Sequence, residues 1–284
     1  MAISKYNLSF SPCPNDCFIF EALVNGKIDT GDIVLTSQME DVETLNKLAV
    51  SGKENCTKLS FHAFLNLTHY YKVLNSGSAL GFNCGPLLIA LPQTKKLLCQ
   101  NPESISSMKV AIPGKLTTAN LLSMLAFPKL TNKEEMLFSD IENAVLNGKC
   151  DLGLIIHENR FTYKEHGLEK IIDLGCWWEK FADQAIPLGA IAINRNIPYE
   201  HQIRIDRYVR ESLLYAYSHR NETMLWVRKF AQEMNEEVMR QHIELYVNEQ
   251  TLDLGEKGKT AIRKLFEEAF NLGITSEPPQ DIFL

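Results

Sequence analysis

The sequence lacks any apolar run long enough to cross a membrane. It also lacks an excess of positive charge, since 29 Lys and Arg residues stand against 35 Asp and Glu residues and give a net charge of -6. Nucleic acid is bound through clustered Lys and Arg, so we expect no nucleic-acid partner. The first residues lack the apolar core and cleavage site of a secretory signal. We therefore expect a cytoplasmic protein without membrane contact.

Cysteine motifs are absent as well. The seven cysteines are an odd, scattered set without a CxxC pair, which favours a reducing compartment over a disulfide framework. No second Cys or His pair stands at ligand spacing from Cys13 and Cys17, so we expect no zinc site and no other metal. We interpret all seven as small buried or half-buried core residues, namely Cys13, Cys17, Cys56, Cys84, Cys99, Cys150 and Cys176.

The sequence contains no GxGxxG, no Walker loop and no GxSxG, which excludes the common nucleotide-binding and serine-hydrolase mechanisms. What it does contain is a globular composition, with 45% apolar and 23% charged residues, so the chain can bury a real core. No cofactor is implied by these patterns.

Two similar apolar runs, residues 85–91 and 187–194, divide the chain. We interpret them as two crossover strands, because a self-contained α/β unit lies between them. The predicted fold is α/β and two-lobed, of the periplasmic-binding-protein-like type 2 layout, with a ligand held between lobes that close by a hinge. Lobe I is predicted to comprise residues 1–91 and 190–284, and lobe II residues 92–189.

Helices are predicted from turn residues and apolar periodicity. The first should follow a cap at Asn15 and Asp16. In the middle of the chain, a capping box at residues 139–142 should begin a helix that ends at Asn147 and Gly148. The C-terminal region should be almost entirely helical, with periodic apolar positions in residues 208–217, 224–234, 238–247 and 261–270.

A loop at residues 114–119 is the best candidate for an anion site. A strand and a Pro113-Gly114 turn lead to Thr117, Thr118 and Ala119 at the start of a helix, where free N–H groups and the helix dipole attract a negative charge. The loop is expected to hold the carboxylate of a small organic molecule in a cleft between the lobes. The alternative is that Thr117 or Thr118 only caps its own helix.

His157 ends a predicted strand, at the edge of the sheet where ligands of α/β proteins tend to bind. An imidazole suits a general base, although a lone His at this place is more often a structural hydrogen-bonding residue. Lys58 and Ser60 could form a second donor cluster, but a helix cap beside a surface lysine fits their pattern better. Asn15 and Asp16 could orient polar groups of a ligand, but the cap of the first helix is again the favoured interpretation.

Several segments together resemble the 1,4-dihydroxy-6-naphthoate synthases, lyases of the futalosine route to menaquinone. They occur in order and span most of the chain: FSPCPND (10–16), EDVETLN (40–46), TKLS (57–60), GPL (85–87), TTA (117–119), IIHENRFTY (155–163) and YVN (246–248). Cys17 departs from the pattern, since Thr is expected there, and this puts one polar contact in doubt.

The resemblance implies a function and a set of site residues. The family converts cyclic dehypoxanthinyl futalosine to 1,4-dihydroxy-6-naphthoate on a fold similar to the periplasmic binding proteins. The resemblance implies that His157 is the proton acceptor. It also implies five substrate-binding positions: Lys58, Leu59, Ser60, Thr118 and Ala119. The substrate partner is thus a small carboxylate. Such a reaction needs a base but neither a metal nor a nucleotide.

Three alternatives stay open from the sequence. The first is chorismate dehydratase, an enzyme of the same pathway on the same fold, against which the segment at residues 157–163 argues. The second is a small-carboxylate-binding protein without catalysis, because this fold is better known for solute capture. The third is the effector domain of a transcription regulator, although no helix-turn-helix precedes Ser9. The oligomeric state is not indicated.

Overall fold

A computed structural model describes residues 3–231 and 235–284. The strands are Ser4–Phe10 (β1), Ile33–Met39 (β2), Cys56–Ser60 (β3), Tyr71–Val73 (β4), Ala79–Gly81 (β5), Leu87–Ala90 (β6), Val110–Ile112 (β7), Lys133–Glu135 (β8), Leu152–Ile155 (β9), Glu169–Asp173 (β10) and Ile186–Asn194 (β11). The α-helices are Pro14–Val24 (α1), Val42–Ala49 (α2), Phe61–Leu65 (α3), Pro92–Gln100 (α4), Thr118–Ala126 (α5), Ile141–Leu146 (α6), Asn159–Thr162 (α7), Leu174–Ala182 (α8), Tyr199–Ser218 (α9), Arg220–Val227 (α10), Glu236–Tyr246 (α11), Glu249–Leu252 (α12) and Gly255–Asn271 (α13).

The first sheet has the order β2-β1-β3-β11-β4, with β5 also paired to β11. Strands β1, β2 and β3 run parallel, and β11 runs antiparallel to its neighbours. Parallel neighbours need a crossover connection, which α1 and α2 provide. The carboxyl ends of β1 and β3 therefore lie at one edge of the sheet, and the segments that follow them, at Ser11 and Ser60, are brought together.

The second sheet has the order β10-β6-β9-β7-β8. Its parallel part, β8-β7-β9, is connected through α5 and α6, and β6 and β10 complete it in antiparallel pairs. Strands β6, β7 and β9 are buried along their whole length. Continuous burial explains why these strands read as unbroken apolar runs instead of alternating patterns.

The chain passes from the first sheet to the second just before β6 and returns just before β11. The two apolar runs predicted to mark the crossover thus do stand at the connections between the sheets, and each of their strands pairs within one sheet. This confirms the two-sheet α/β fold. The predicted lobe limits at residues 91/92 and 189/190 lie a few residues beyond these connections, and the division into lobes remains a proposal.

The C-terminal helices agree largely with the apolar periodicity. Residues 208–217, 238–247 and 261–270 fall almost entirely within α9, α11 and α13. The predicted helix at 224–234 ends early, because α10 stops at Val227, and its last three residues lie outside the described part of the chain.

Two local predictions are wrong. The capping box at residues 139–142 does not form: Ser139 lies in a short 3-10 helix, and the Glu142 carboxylate instead accepts a hydrogen bond from Asn159 at 2.9 Å and contacts His166. Among the cysteines, which are all free thiols, Cys99 is exposed rather than a core residue. No helix in the described ranges is long and apolar enough to cross a membrane.

Candidate active site

A cavity lies where the edges of the two sheets face each other. Its walls include all six predicted site residues, on one segment that belongs to the first sheet and two that belong to the second: Lys58, Leu59, Ser60, Thr118, Ala119 and His157. The structure thus brings the predicted site residues together, and their individual roles remain predictions.

Lys58 is a buried residue, with 6% of its surface exposed, and not the surface lysine that its pattern favoured. Its Nζ lies 2.6 Å from Oδ1 of Asp16, which is fully buried. Asp16 also accepts a hydrogen bond from Ser11 Oγ at 2.7 Å. An isolated buried charge would be very costly, and the pair with its added hydrogen bond offsets that cost.

The favoured cap at Asn15 and Asp16 is also wrong. Helix α1 begins at Pro14, its N-cap residue is Cys13, and no side chain caps it. Pro14 at the first helical position has no N–H that would need an acceptor. The side chains of Asn15 and Asp16 do not cap the helix, and both line the cavity. Asn15 Nδ2 donates to Asp16 Oδ1 at 2.8 Å.

Ser60 stands at the N-terminus of α3 but makes no side-chain cap bond, so the cap interpretation fails here too. Asn46 holds it from both sides: Ser60 N–H donates to Asn46 Oδ1 at 3.0 Å, and Asn46 Nδ2 donates to Ser60 Oγ at 3.1 Å. Because Oγ accepts from the amide of Asn46, its own proton is available to a ligand in the cavity.

The two threonines of the predicted anion loop have separate tasks. Thr117 is the cap of α5, because its Oγ1 accepts from Asn120 N–H at 3.3 Å. Thr118 is not a cap, and its Oγ1 donates to the backbone oxygen of Leu188 at 2.6 Å. The amides of Thr118 and Ala119, in the first turn of α5, have no acceptor among the residues that the structure describes. They are the donors left for an anion.

The earlier part of that loop already holds a carboxylate of the protein itself. Glu43 Oε1 accepts from Leu116 N–H at 3.2 Å, and burial raises the pKa of this carboxyl. A Cβ on Gly114 would come within 2.3 Å of the Glu43 carboxyl carbon, so glycine is required for the approach. Within the predicted anion site at residues 114–119, the amides available to a ligand are therefore those of Thr118 and Ala119.

His157 follows β9 directly and lies in the cavity wall, half-buried. Its Nδ1 is 3.4 Å from Cys13 Sγ, and its ring packs edge-on against Phe138 with centroids 5.1 Å apart. Burial lowers the pKa of His157 to about 4, and nearby Asp16 only partly opposes that effect. The imidazole is therefore neutral near pH 7 and can accept a proton.

The segment after His157 is tied to the crossover connection. The Arg160 guanidinium donates to the backbone oxygen of Gly85 at 2.5 Å and to Asp173 Oδ2 at 2.7 Å. The Arg160–Asp173 ion pair is largely buried. Because the planar guanidinium donates in two directions, it fixes the position of the segment that follows His157. His157 is thus carried on an anchored loop.

Two buried residues of the wall, His242 and Tyr246, were not predicted as site residues. Cys13, interpreted as a core residue, is buried and lies next to His157. His242 shares the buried face of α11 with Met239, Ile243 and Tyr246. The spacing of these four residues is the signal that could have placed His242 inside.

His62, which was not predicted as a site residue, is buried and joins the two sheets. Its Nδ1 lies 3.1 Å from the backbone oxygen of Thr117, to which it donates. Burial lowers the pKa of His62, so the ring is neutral. The contact supports the start of α5 from the side of α3.

The fold and this cleft define a two-lobed protein of the periplasmic-binding-protein-like class. Among solved structures, the alkanesulfonate-binding protein SsuA of Xanthomonas axonopodis, bound to MOPS, matches with a TM-score of 0.71 at 9% identity over 100% of this chain and 97% of its own. A protein from Archaeoglobus fulgidus matches with a TM-score of 0.86 at 33% identity, over 95% of this chain and 98% of its own. The SsuA likeness shows the fold alone.

Residues 6–271 match a family described as menaquinone biosynthesis. Two curated relatives are both named 1,4-dihydroxy-6-naphthoate synthase: one from Thermus thermophilus is 40% identical with 98% of each chain covered, and one from Streptomyces coelicolor is 36% identical with 96% of each covered. The chain belongs to this family of menaquinone-biosynthesis enzymes. The resemblance seen in the sequence is confirmed.

Proposed function

We propose that this chain converts cyclic dehypoxanthinyl futalosine to 1,4-dihydroxy-6-naphthoate, as a carbon-carbon lyase with His157 as general base. The observation that supports this most is the position of a neutral imidazole in the same cavity as the donor groups of Lys58, Ser60 and Thr118. Chorismate dehydratase, the alternative, is not favoured, since both curated relatives carry the synthase name.

The base acts on a carbon-bound proton next to a carbonyl of the substrate. His157 accepts that proton, and the C–H electron pair becomes a double bond of the ring as the carbon-carbon bond to the sugar-derived fragment breaks. That fragment leaves with the bonding pair and takes up a proton, and the remaining ring system becomes aromatic. General-base assistance of this kind contributes typically about 10²–10⁴ in rate. Closing the lobes excludes water and aligns the ring with the proton.

Cys13 Sγ lies 3.4 Å from Nδ1 of the base. Burial raises the pKa of the Cys13 thiol, so the sulfur is protonated. We assign the imidazole hydrogen to Nδ1, where the sulfur is a weak acceptor, and Nε2 then keeps its lone pair. Nε2 is then the atom that accepts the substrate proton.

The carboxylate of the substrate is held by the first turn of α5 and by the first sheet. The amides of Thr118 and Ala119 and the positive end of the helix dipole favour an anion at this point. Lys58 Nζ supplies further donors, since among the described residues it forms an ion pair with one carboxylate, that of Asp16. Ser60 Oγ adds a neutral donor.

The direct test is an incubation of the purified chain with cyclic dehypoxanthinyl futalosine, without added cofactor, followed by chromatography. We expect 1,4-dihydroxy-6-naphthoate to appear in proportion to enzyme. A parallel incubation with chorismate should leave it unchanged. Dehydration of chorismate would establish the alternative enzyme, and binding of either compound without conversion would leave a carboxylate-binding protein.

The proposed compartment is the cytoplasm. The seven cysteines are free thiols, as is usual in a reducing environment, and the family's relatives are biosynthetic enzymes. The proposed partner is the small carboxylate substrate.

A further inference from the structure

Helix α2 carries no predicted site residue, yet one of its side chains connects the site with the boundary of the cleft. The helix begins after its cap, Asp41, and Glu43 and Asn46, three positions apart, share its buried face. Asn46 has no exposed surface and lies behind the cavity wall, in contact with Ser60. Its influence on a ligand therefore has to pass through a neighbouring residue.

The contacts of Asn46 determine which way its amide faces. Oδ1 accepts from Ser60 N–H at 3.0 Å, so Nδ2 lies on the other side of the amide. There Nδ2 donates to Ser60 Oγ at 3.1 Å and to Glu43 Oε2 at 3.2 Å. The reverse orientation would place Nδ2 against an N–H group and Oδ1 against a carboxylate, which are two repulsive pairs. The amide of Asn46 thus has one favourable orientation.

This orientation decides the hydrogen-bonding role of Ser60. Its Oγ accepts from Asn46 Nδ2, so the hydroxyl hydrogen has to point elsewhere. That hydrogen has no acceptor among the residues that the structure describes, and Ser60 lines the cavity. A ligand oxygen in the cavity is therefore the acceptor that remains. Asn46 makes Ser60 a donor towards the ligand.

Glu43 connects the same amide with the loop at residues 114–119, which belongs to the second sheet. Its Oε2 accepts from Asn46, and its Oε1 accepts from Leu116 N–H at 3.2 Å. The loop fits closely against it, since a Cβ on Gly114 would come within 2.3 Å of the Glu43 carboxyl carbon. One buried carboxylate thus contacts the Asn46 amide on one side and the loop of the second sheet on the other.

We propose that Asn46 is a positioning residue that couples closure of the cleft to the donor role of Ser60. In the closed form, Leu116 fixes the Glu43 carboxylate, and this carboxylate holds Asn46 Nδ2 in place. The hydrogen of the Ser60 hydroxyl is then left for the substrate. In an open form Leu116 is withdrawn, and Glu43 and the amide are held less firmly, so closure completes the set of donors. The effect on substrate binding rests on the proposed function, and the link to closure does not.

The first test is Asn46→Asp, which replaces the donor Nδ2 by a second acceptor oxygen. The Ser60 hydroxyl should then donate to the new carboxylate instead of the substrate, and this carboxylate should repel Glu43. We expect KM and the substrate Kd to rise about tenfold or more, with kcat changed less, and the radius of gyration of the ligand-free chain to increase. Asn143→Asp makes the same change at an exposed position of α6 and should alter none of these values.

The exchange variant Glu43→Gln/Asn46→Asp separates closure from the role of Ser60. It keeps one carboxylate and one amide: the new amide at position 43 donates to position 46, and its oxygen still accepts from Leu116 N–H. Closure should return, with the radius of gyration of the unaltered chain. The Ser60 hydroxyl should still turn to position 46, so the substrate Kd should stay raised. Adding Ser60→Ala to the exchange variant should raise it no further.

Three results would overturn the proposal: an unchanged radius for Asn46→Asp, a radius that the exchange variant does not restore, or a further loss of affinity when Ser60→Ala is added to it. A purely structural Asn46 would lower only the melting temperature. If Asn46→Asp does not fold, the exchange variant decides, and a Kd equal to that of the unaltered chain contradicts the role. A chain that makes no naphthoate contradicts only the proposed function, because the radius is measured without substrate.

Discussion

His157 has a left-handed backbone conformation, with φ of 57°. This conformation costs a non-glycine residue about 1–2 kcal/mol, and residues that adopt it cluster at functional sites. The strain is tolerated because Arg160 anchors the following segment to Gly85 and Asp173. The conformation directs the imidazole into the cavity instead of along β9.

Glycine and alanine variants of His157 isolate this strain. Both remove the ring, but only Gly adopts positive φ without penalty, so His157→Gly should be more stable than His157→Ala by about 1 kcal/mol. At positions with ordinary φ, the alanine variant is usually more stable than the glycine variant. Urea unfolding of the two variants measures the difference. As a matched control at ordinary φ, His166→Ala and His166→Gly should not show a glycine advantage. Equal stabilities at residue 157 would mean that no strain is stored there.

The lowered pKa of His157 sets the pH dependence of the reaction. The neutral ring is the active form, and a pKa of about 4 keeps it neutral as pH falls from 8 to 5.5. kcat/KM should therefore stay nearly constant over this range and decline only towards pH 4. An unperturbed histidine, with pKa about 6.5, would be about nine-tenths protonated at pH 5.5. A half-maximal rate near pH 6.5, with the fold intact by tryptophan fluorescence, would rule out the low pKa.

At the scale of elements, the site depends on where strands and helices end. β1, β3 and β9 each deliver a polar segment to the cleft, and α5 presents its N-terminus there. Thr117 and Thr118 are adjacent, yet one caps the helix and the other faces the cavity. Substitutions of these two residues should therefore have different effects on stability and on substrate binding.

Thr117→Ala should cost about 1 kcal/mol of folding stability, because the amide of Asn120 loses its acceptor, and should change substrate binding less. Thr118→Val keeps the amide but removes the hydroxyl that donates to Leu188 across the cleft, so it should raise KM or the substrate Kd by weakening closure, with a smaller loss of stability. Thermal unfolding and a substrate titration of both variants provide the comparison. If Thr118→Val lowers only the melting temperature, the hydroxyl of this residue is structural.

Patterns of neighbouring residues were sufficient to predict part of the fold and of the candidate site. The turn at Gly114 and the small polar residues after it predict the start of α5, and the position of His157 after an apolar strand predicts its place at the sheet edge. Lys58 could not be placed, because its burial depends on Asp16, 42 residues away in sequence. The Glu43 carboxylate in the loop and the burial of His242 likewise come from packing between distant elements.

At the scale of the whole molecule, contacts between the two sheets hold the cleft closed. Glu43 accepts from Leu116, His62 donates to Thr117, and Thr118 donates to Leu188. Lys47 and Glu135 form an ion pair across the same boundary. Since the lobes are joined by two connections, these contacts set the balance between open and closed forms.

Glu43→Ala should open the cleft. A hydrogen bond to a charged group contributes about 1.5–3 kcal/mol, so its loss moves the closed-to-open ratio by about tenfold or more. Small-angle scattering of the ligand-free variant should give a larger radius of gyration, and KM should rise. Glu200→Ala, an exposed change on α9, is the control and should leave both values unaltered. An unchanged radius for Glu43→Ala would show that other contacts maintain closure.

The central claim is that His157 is the base in a site that binds the substrate by other residues. Its most direct test is the naphthoate-forming turnover of His157→Ala, measured beside substrate affinity in the same preparation. We predict a rate at least about 10²-fold lower, with a Kd within a few fold of the unaltered chain. Turnover of His157→Ala at the full rate would contradict the account.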